Sequence, residues 1–447
     1  MLEGLSDVAL TALIPAAVLT WMGVLALVLW HRMAQRGGPW EFQALLIVTG
    51  PLIMVGIFFY PDEGTAGGIV PRLVAALSSL SVALSILLAL RSVGAPRRFV
   101  GGMVAAVAAY FLALVVSAMV ARSSGIPTEY LTTPILLLAV LVSGAYTRDE
   151  AIDVSRWSLR TIIALSLAAA VLLPSTAFNT SEARTIFGLN RLEGITSHPN
   201  TLGALAVLAF LLELRSRSIV WMGAALTALV LAQSNTAWAA LLVGVLCLVR
   251  ASALRIGVYG ALIGGAGALL LSPAVAKSVM VLLTDERATT LNGRTTIWQA
   301  ALAGFKDNAL FGYGPGLLDD AYRARYLPQF DAAAQAHNQF VQSMAGAGIL
   351  GAATLIALVS VLVRYSWKAR QTDGGLSLAL TAILVMRSLT ETPLRPVGPG
   401  TSTFFLLVTF AIVAATHSEW ASQHERALPV RPLVSRTERL ALTRKSR

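Results

Sequence analysis

Long uninterrupted apolar runs constrain this chain more than any other feature. Residues 8–30 and 70–90 are each close to the roughly 20 residues that a helix needs to cross a hydrocarbon core about 30 Å thick. Lipid offers no water to backbone N–H and C=O groups, so a spanning segment must satisfy its own, and a helix does that within one segment. Composition agrees: of 447 residues, 56% are hydrophobic and 13% charged, against about 25% charged in soluble chains. A soluble enzyme, a disordered scaffold and a disulfide framework are excluded. The single cysteine, Cys247, lies inside an apolar run, so no disulfide can form within one chain.

The hydropathy pattern predicts an all-α, polytopic transmembrane bundle. Candidate spans fall at 8–30, 42–60, 69–90, 99–120, 133–147, 158–177, 200–214, 218–233, 236–249, 256–273, 340–363, 376–389 and 403–416. That makes thirteen, and the short pieces between 200 and 249 set a range of eleven to thirteen. The first run lacks a basic leader and is too long for the core of a cleavable signal, so it reads as a retained helix. The resulting layout is a first part of the bundle over 1–273, a polar loop with amphipathic helices over 274–338, a last part of the bundle over 339–416, and a basic tail over 417–447. Lys and Arg placement sets orientation. One set of connections, with the tail, carries 22 basic residues; the other side carries 12, six of them in the long loop. The first set and the tail are expected in the cytoplasm, and the long loop in the periplasm. The net charge of +11 then stems from cytoplasmic anchors and a tail drawn to anionic membrane lipids. That tail has few aromatics on which bases could stack, so no nucleic-acid partner is expected.

The long loop has a pattern of its own. Ile297, Trp298, Ala301, Leu302 and Phe305 recur at the spacing of an amphipathic helix over 295–308. The glycine-rich stretch 311–316 breaks it, and a second short helix over 317–326 ends before Pro328. His337 opens the next span within Gln335-Ala336-His337-Asn338-Gln339, ahead of Gly346, Gly348 and Gly351, which let another backbone or a bulky ligand approach closely. His337 reads either as an interfacial histidine capping a helix or as a general base. An imidazole, with a solution pKa of about 6.5, suits the second role near neutral pH.

Arg184, Arg191, Glu193 and His198 cluster in the loop 178–199. Pro199 ends that loop as a first helical residue, where its missing N–H would be unsatisfied anyway. Arg191 is either a solvated partner of Glu193 or a phosphate clamp, because a guanidinium presents a planar fork of donors. Arg294, at the start of the loop helix, either reinforces an anion site or anchors that helix to lipid phosphate. Arg72, Arg122, Glu391 and Arg395 share the outer side, and Pro393 and Pro396 argue against one helix carrying the last two. Asp319 and Asp320 point to different helix faces with no third ligand at a metal spacing, so they read as solvated or capping residues. Neither a zinc motif nor a phosphate-cradling P-loop is present.

Three motifs resemble the bacterial O-antigen ligases and O-antigen polymerases. They are Arg191-Leu192-Glu193-Gly194-Ile195-Thr196-Ser197-His198-Pro199-Asn200-Thr201-Leu202-Gly203; Gly293-Arg294-Thr295-Thr296-Ile297-Trp298 with 308–314 after it; and His337-Asn338 followed by 348–351. The resemblance implies an inner-membrane enzyme of about twelve spans with its active site facing the periplasm. It implies transfer of a glycan from undecaprenyl pyrophosphate to lipid A–core in the ligases, or to another lipid-linked glycan in the polymerases, with no metal or nucleotide cofactor. The family's essential His matches His337, and its essential arginines match Arg191 and Arg294, with Arg184 a rival for the first. Asn338, Tyr313, Arg72, Arg122, Arg184, Glu391 and Arg395 are candidates for substrate binding. The motifs together with a loop of this size favour a ligase over a polymerase. A lipid-linked glycan transporter or flippase is the reading from another class. It would place ionisable residues deep in the membrane, whereas Arg72, Arg160, Glu213 and Arg387 fall near expected span ends.

Overall fold

The computed structural model describes residues 42, 44–46, 69–91, 100–121, 126–143, 146–179, 190–196, 198–248, 293–328, 334–397 and 400–427. The expected spans at 8–30 and 256–273, most of 42–60, Arg122, Arg184 and the tail beyond 427 lie outside these residues. The first described helices are α1 (Ile69–Arg91), α2 (Gly101–Val120), α3 (Glu129–Val142), α4 (Arg148–Leu172) and the single turn α5 (Pro174–Ala177). A two-stranded antiparallel ladder follows, β1 (Phe178–Asn179) on β2 (Arg191–Leu192), a minimal addition to the all-α expectation. Then come α6 (Pro199–Ser216), α7 (Ile219–Ala232) and α8 (Asn235–Leu248). The polar segment contributes α9 (Arg294–Asp307) and α10 (Asp320–Tyr326), and the chain returns through α11 (Gln339–Ala369), α12 (Leu376–Thr390) and α13 (Thr401–Ala427).

Among the described residues four helices, α2, α4, α11 and α13, are long and apolar enough to cross a membrane. Shorter apolar helices include α3, α7 and α8, of 14 residues each. At about 1.5 Å per residue, such helices reach roughly 21 Å and cross only with help from flanking residues or local thinning. The core is built on α6, buried all the way from Leu202 to Ala209, and on the buried run 404–415 of α13. A helix apolar on every side belongs in the middle of a bundle. Outer helices instead turn large apolar side chains outward, among them Leu112, Met119, Ile349, Ile356 and Trp367.

Hydropathy placed the start of one span at 158, yet α4 begins at Arg148 because Thr147 and Glu150 form a capping box. The longer helix puts Arg160 near its middle instead of near its end. Arg160 is neutralised there: its Nε and Nη2 donate to the two carboxylate oxygens of Glu213 at 2.6 and 2.8 Å. A bidentate pair of this kind survives burial because each charge satisfies the other.

The helices alternate in direction, so the two ends of the bundle carry different polar sets. At one end Arg148 reaches the Thr372 carbonyl and Glu419, and Arg215 donates to the Asp373 carbonyl. At the other lie the first turns of α6 and α11, the last turns of α7 and α12, and a cap made of α9 and α10. The cap has its own small core of Ile297, Ala301, Leu317, Leu318 and Tyr322, closed against Ala336 and Ala345. Within it α10 starts at Asp320, three residues later than expected, because the Asp319 carboxylate accepts from Tyr322 N at 2.7 Å.

A kink in α11 joins the cap to the bundle. Ala347 and Gly348 leave helical geometry, Gly348 at φ 66°, which deprives neighbouring backbone groups of their helical partners. The segment 309–314 takes them up. Tyr313 N donates to Ala345 O at 2.8 Å and Gly314 N to Gly346 O at 2.9 Å, while Ile349 N donates to Ala309 O at 2.9 Å. Ser117 of α2 adds a bond to Gly346 O at 2.6 Å. A Cβ at Gly348 would sit 2.2 Å from Leu310 O, and one at Gly312 would sit 2.6 Å from Ala347 N. Glycine at these two places is what lets the backbones meet.

Candidate active site

Beneath the cap several segments converge on one carboxylate. α12 ends at Thr390, and Glu391 follows in extended conformation, 8% exposed. Its Oε2 lies 3.0 Å from His337 Nδ1; its Oε1 accepts from Asn200 Nδ2 at 2.9 Å and from Arg294 Nη2 at 3.5 Å.

Each partner is held by its own element. His337 takes the left-handed backbone region, φ 47°, which histidine enters more readily than most non-glycine residues. Asn338 next to it is the N-cap of α11: its Oδ1 accepts from Phe340 N and Val341 N, and its Nδ2 donates to Leu389 O at 3.2 Å. One side chain thereby ties the start of α11 to the end of α12. Arg294 opens α9 and donates from Nη1 to Thr390 O at 2.8 Å. Asn200 follows Pro199 in the first turn of α6, after the N-cap His198. The Asn200 Oδ1 accepts from Arg191 Nη2 at 2.7 Å, and Arg191 Nε also donates to Ala232 O at the end of α7, at 3.2 Å. Bonds therefore run from Arg191 through Asn200 to Glu391, and from Glu391 to His337 and Arg294.

The electrostatics follow from that arrangement. Burial alone would raise the pKa of Glu391. The hydrogen bond from His337 and the charges of His337, Arg294 and Arg387 outweigh it and hold the carboxyl below its usual range. An ionised carboxylate only accepts hydrogen bonds, so the His337 Nδ1 facing it carries a proton, and in the neutral imidazole the lone pair is then on Nε2. The constellation is that of an imidazole base oriented by an acid. Arg387 lies buried with its guanidinium over the Phe405 ring at 4.6 Å. Arg294 and Arg387 thus act on the Glu391 carboxylate directly, and Arg191 is tied to it through Asn200. The side chains of His337 and Arg294 keep 29% and 21% of their surface, while Arg191 is buried. The first two are placed to touch a ligand; Arg191 reaches the cluster through Asn200.

The remaining candidates lie elsewhere. Arg395 is four residues past Glu391 and off the helix, lining a separate cavity with Tyr130 and Gln342. Tyr313 packs edge-on against Tyr322 in the cap, ring centres 4.6 Å apart. Arg72 belongs to α1, its side chain outside the described residues, as are Arg122 and Arg184. Sequence reasoning offered Glu391 only as a substrate contact and did not foresee its central position. The available signal was an acid directly after an apolar span, with Arg387 one turn before it. No group of three His, Cys, Asp or Glu comes together as a metal site among the described residues.

Apolar helices of spanning length, with a polar cluster gathered at one end of them, define an integral membrane protein. Residues 201–356, about a third of the chain, match the family model described as O-antigen ligase (Wzy_C). The matched region holds Arg294 and His337, while Arg191, Asn200 and Glu391 flank it. No curated protein matches the chain.

Proposed function

We propose that this protein is an O-antigen ligase of the bacterial inner membrane, transferring a glycan from undecaprenyl pyrophosphate to lipid A–core on the periplasmic face. The observation that carries the reading is the 3.0 Å contact of His337 Nδ1 with Glu391, with Arg294 on the same carboxylate. His337 Nε2 takes the proton of the acceptor hydroxyl while that oxygen bonds to the anomeric carbon. The bond from this carbon to the pyrophosphate oxygen breaks, and undecaprenyl pyrophosphate leaves with the electron pair. A single displacement inverts the anomeric configuration. Glu391 is a positioning residue that fixes the imidazole's tautomer and steadies its charged form.

The leaving group gains charge as its bond breaks, so preorganised cations favour the transition state over the ground state. Arg294 meets the pyrophosphate with N–H groups not engaged by Thr390 and Glu391. Arg191 helps hold it from within, through Asn200. The donor carries its own activation, which suits a compartment without ATP. Basic residues at the opposite end of the bundle, Arg148 and Arg215 among them, support a cytoplasmic assignment for that end.

Purified protein given lipid-linked glycan and lipid A–core is expected to form a covalent core–glycan product. Chain growth on the lipid-linked glycan without core would assign a polymerase instead. Glycan movement across a vesicle membrane with neither product would assign a transporter.

A further inference from the structure

A cavity of about 340 Å³ between α2, α3 and α11 takes no part in the steps above. It lies at the small end of the roughly 300–1,000 Å³ typical of ligand sites, room for a sugar residue and not for a polyprenyl chain. Its wall can be read as a count of hydrogens. Gln339 Oε1 accepts from Leu394 N at 2.8 Å, which aims its Nε2 at Tyr110 Oη, 2.9 Å away, and Ser343 Oγ, 3.1 Å away. Those two hydroxyls share one bond of 2.9 Å. One of their two hydrogens is thereby used, and the other has no acceptor among the described residues. Gln342 Oε1 accepts from Ala336 N at 2.8 Å, and its amide hydrogens likewise find no acceptor there. Arg395 completes the wall with no carboxylate bonded to it among the described residues. Burial pulls its pKa below the usual value, an effect that Tyr130 only partly offsets. Glu129 is the one carboxylate in the lining.

Donors in excess, a cation and a lone carboxylate fit a ligand rich in oxygen acceptors that also carries negative charge. None of Arg191, Arg294, His337 or Glu391 lines the cavity, so it offers an anion position separate from the one at Arg294. Yet it is built on the same two segments as the base: Gln339 lies two residues after His337, and Arg395 four after Glu391. Joining two charged amphiphiles at one base takes an anchor for each. Building on the transferase reading, we propose that this cavity is the acceptor subsite, holding one anionic sugar residue with its phosphate or carboxylate on Arg395 while a nearby hydroxyl is presented to His337.

The test uses the full chain and its Arg395→Gln and Arg395→Lys variants. Arg395→Gln is expected to raise the acceptor KM about tenfold, the scale of one charge-assisted hydrogen bond, with kcat and donor KM within about twofold. Arg395→Lys is expected to recover much of the loss. Stripping phosphate and carboxylate from the acceptor is expected to raise the wild-type KM by a similar factor and leave that of Arg395→Gln unchanged. Equal KM for native and stripped acceptor, or a change confined to donor KM, overturns the assignment. Calorimetric titration with glucose 1-phosphate and with glucose reads the cavity without turnover, so it stands or falls separately from the ligase reading. The wild type is expected to prefer the phosphate form about tenfold and Arg395→Gln to lose that preference. Equal binding, or a preference abolished in phosphatidylglycerol nanodiscs but kept in phosphatidylcholine ones, would give the cavity to no sugar anion or to a lipid headgroup.

Discussion

Two oxygens of Glu391 serve donors from His337, Asn200 and Arg294, which arrive from the segments that open three different helices. Replacing it by glutamine keeps the shape, removes the charge, and turns an NH₂ toward one of those donors. Glu391→Gln is expected to lower kcat about 100-fold, since a positioned general base is worth roughly 10²–10⁴, with donor KM little changed. A stability effect accompanies it, with a definite sign. The folded-state pKa of Glu391 is depressed, so its contribution is full above the ordinary carboxylate value of about 4.3 and is lost as pH falls through the folded value. The gap in melting temperature between wild type and Glu391→Gln should be complete at neutral pH and close under acid; a gap independent of pH would contradict this. His337 stood out in the sequence through the polar run 335–339. Its partner did not, because Glu391 lies 54 residues away and nothing local to either residue encodes the pairing.

At the scale of elements, the broken helix α11 depends on the segment 309–314 for its backbone partners, and glycine makes the meeting possible. Gly348→Ala would place a non-glycine residue at φ 66° with its Cβ 2.2 Å from Leu310 O. A destabilisation of at least about 1–3 kcal/mol is expected, with faster hydrogen exchange across 309–314. Gly223→Ala, on α7 with open space at its Cβ, is the control, expected to be neutral or slightly stabilising. A Gly348→Ala protein as stable as the control would remove the role assigned to the kink. Much at this scale was legible beforehand. Gly346, Gly348 and Gly351 announced a close approach, Pro199 marked a helix start, and Asp319 read as either solvated or capping. The start of α4 was not, because hydropathy discounts the polar turns that the Thr147–Glu150 box holds in helix.

For the whole molecule, counting Lys and Arg divides the connections into two sets, and the bundle places Arg148 and Arg215 at the end away from Glu391. Sidedness is testable with single cysteines in a Cys247→Ser background. Asp320, whose side chain is 96% exposed on the cap, and His424, exposed near the end of α13, are suitable positions. A membrane-impermeant maleimide should label Asp320→Cys from the periplasm, and His424→Cys only after the inner membrane is opened. Labelling of both from one side would contradict the topology. The proposed reaction rests on His337 as the base of glycan transfer and on Arg294 as the holder of the leaving group. Initial rates of core–glycan formation by His337→Ala, with donor KM measured alongside, test it most directly. A fall in kcat of about 10²–10⁴ with donor KM within a few-fold is the expected result, whereas near-normal transfer by His337→Ala, with Arg294→Ala inactive, would contradict it.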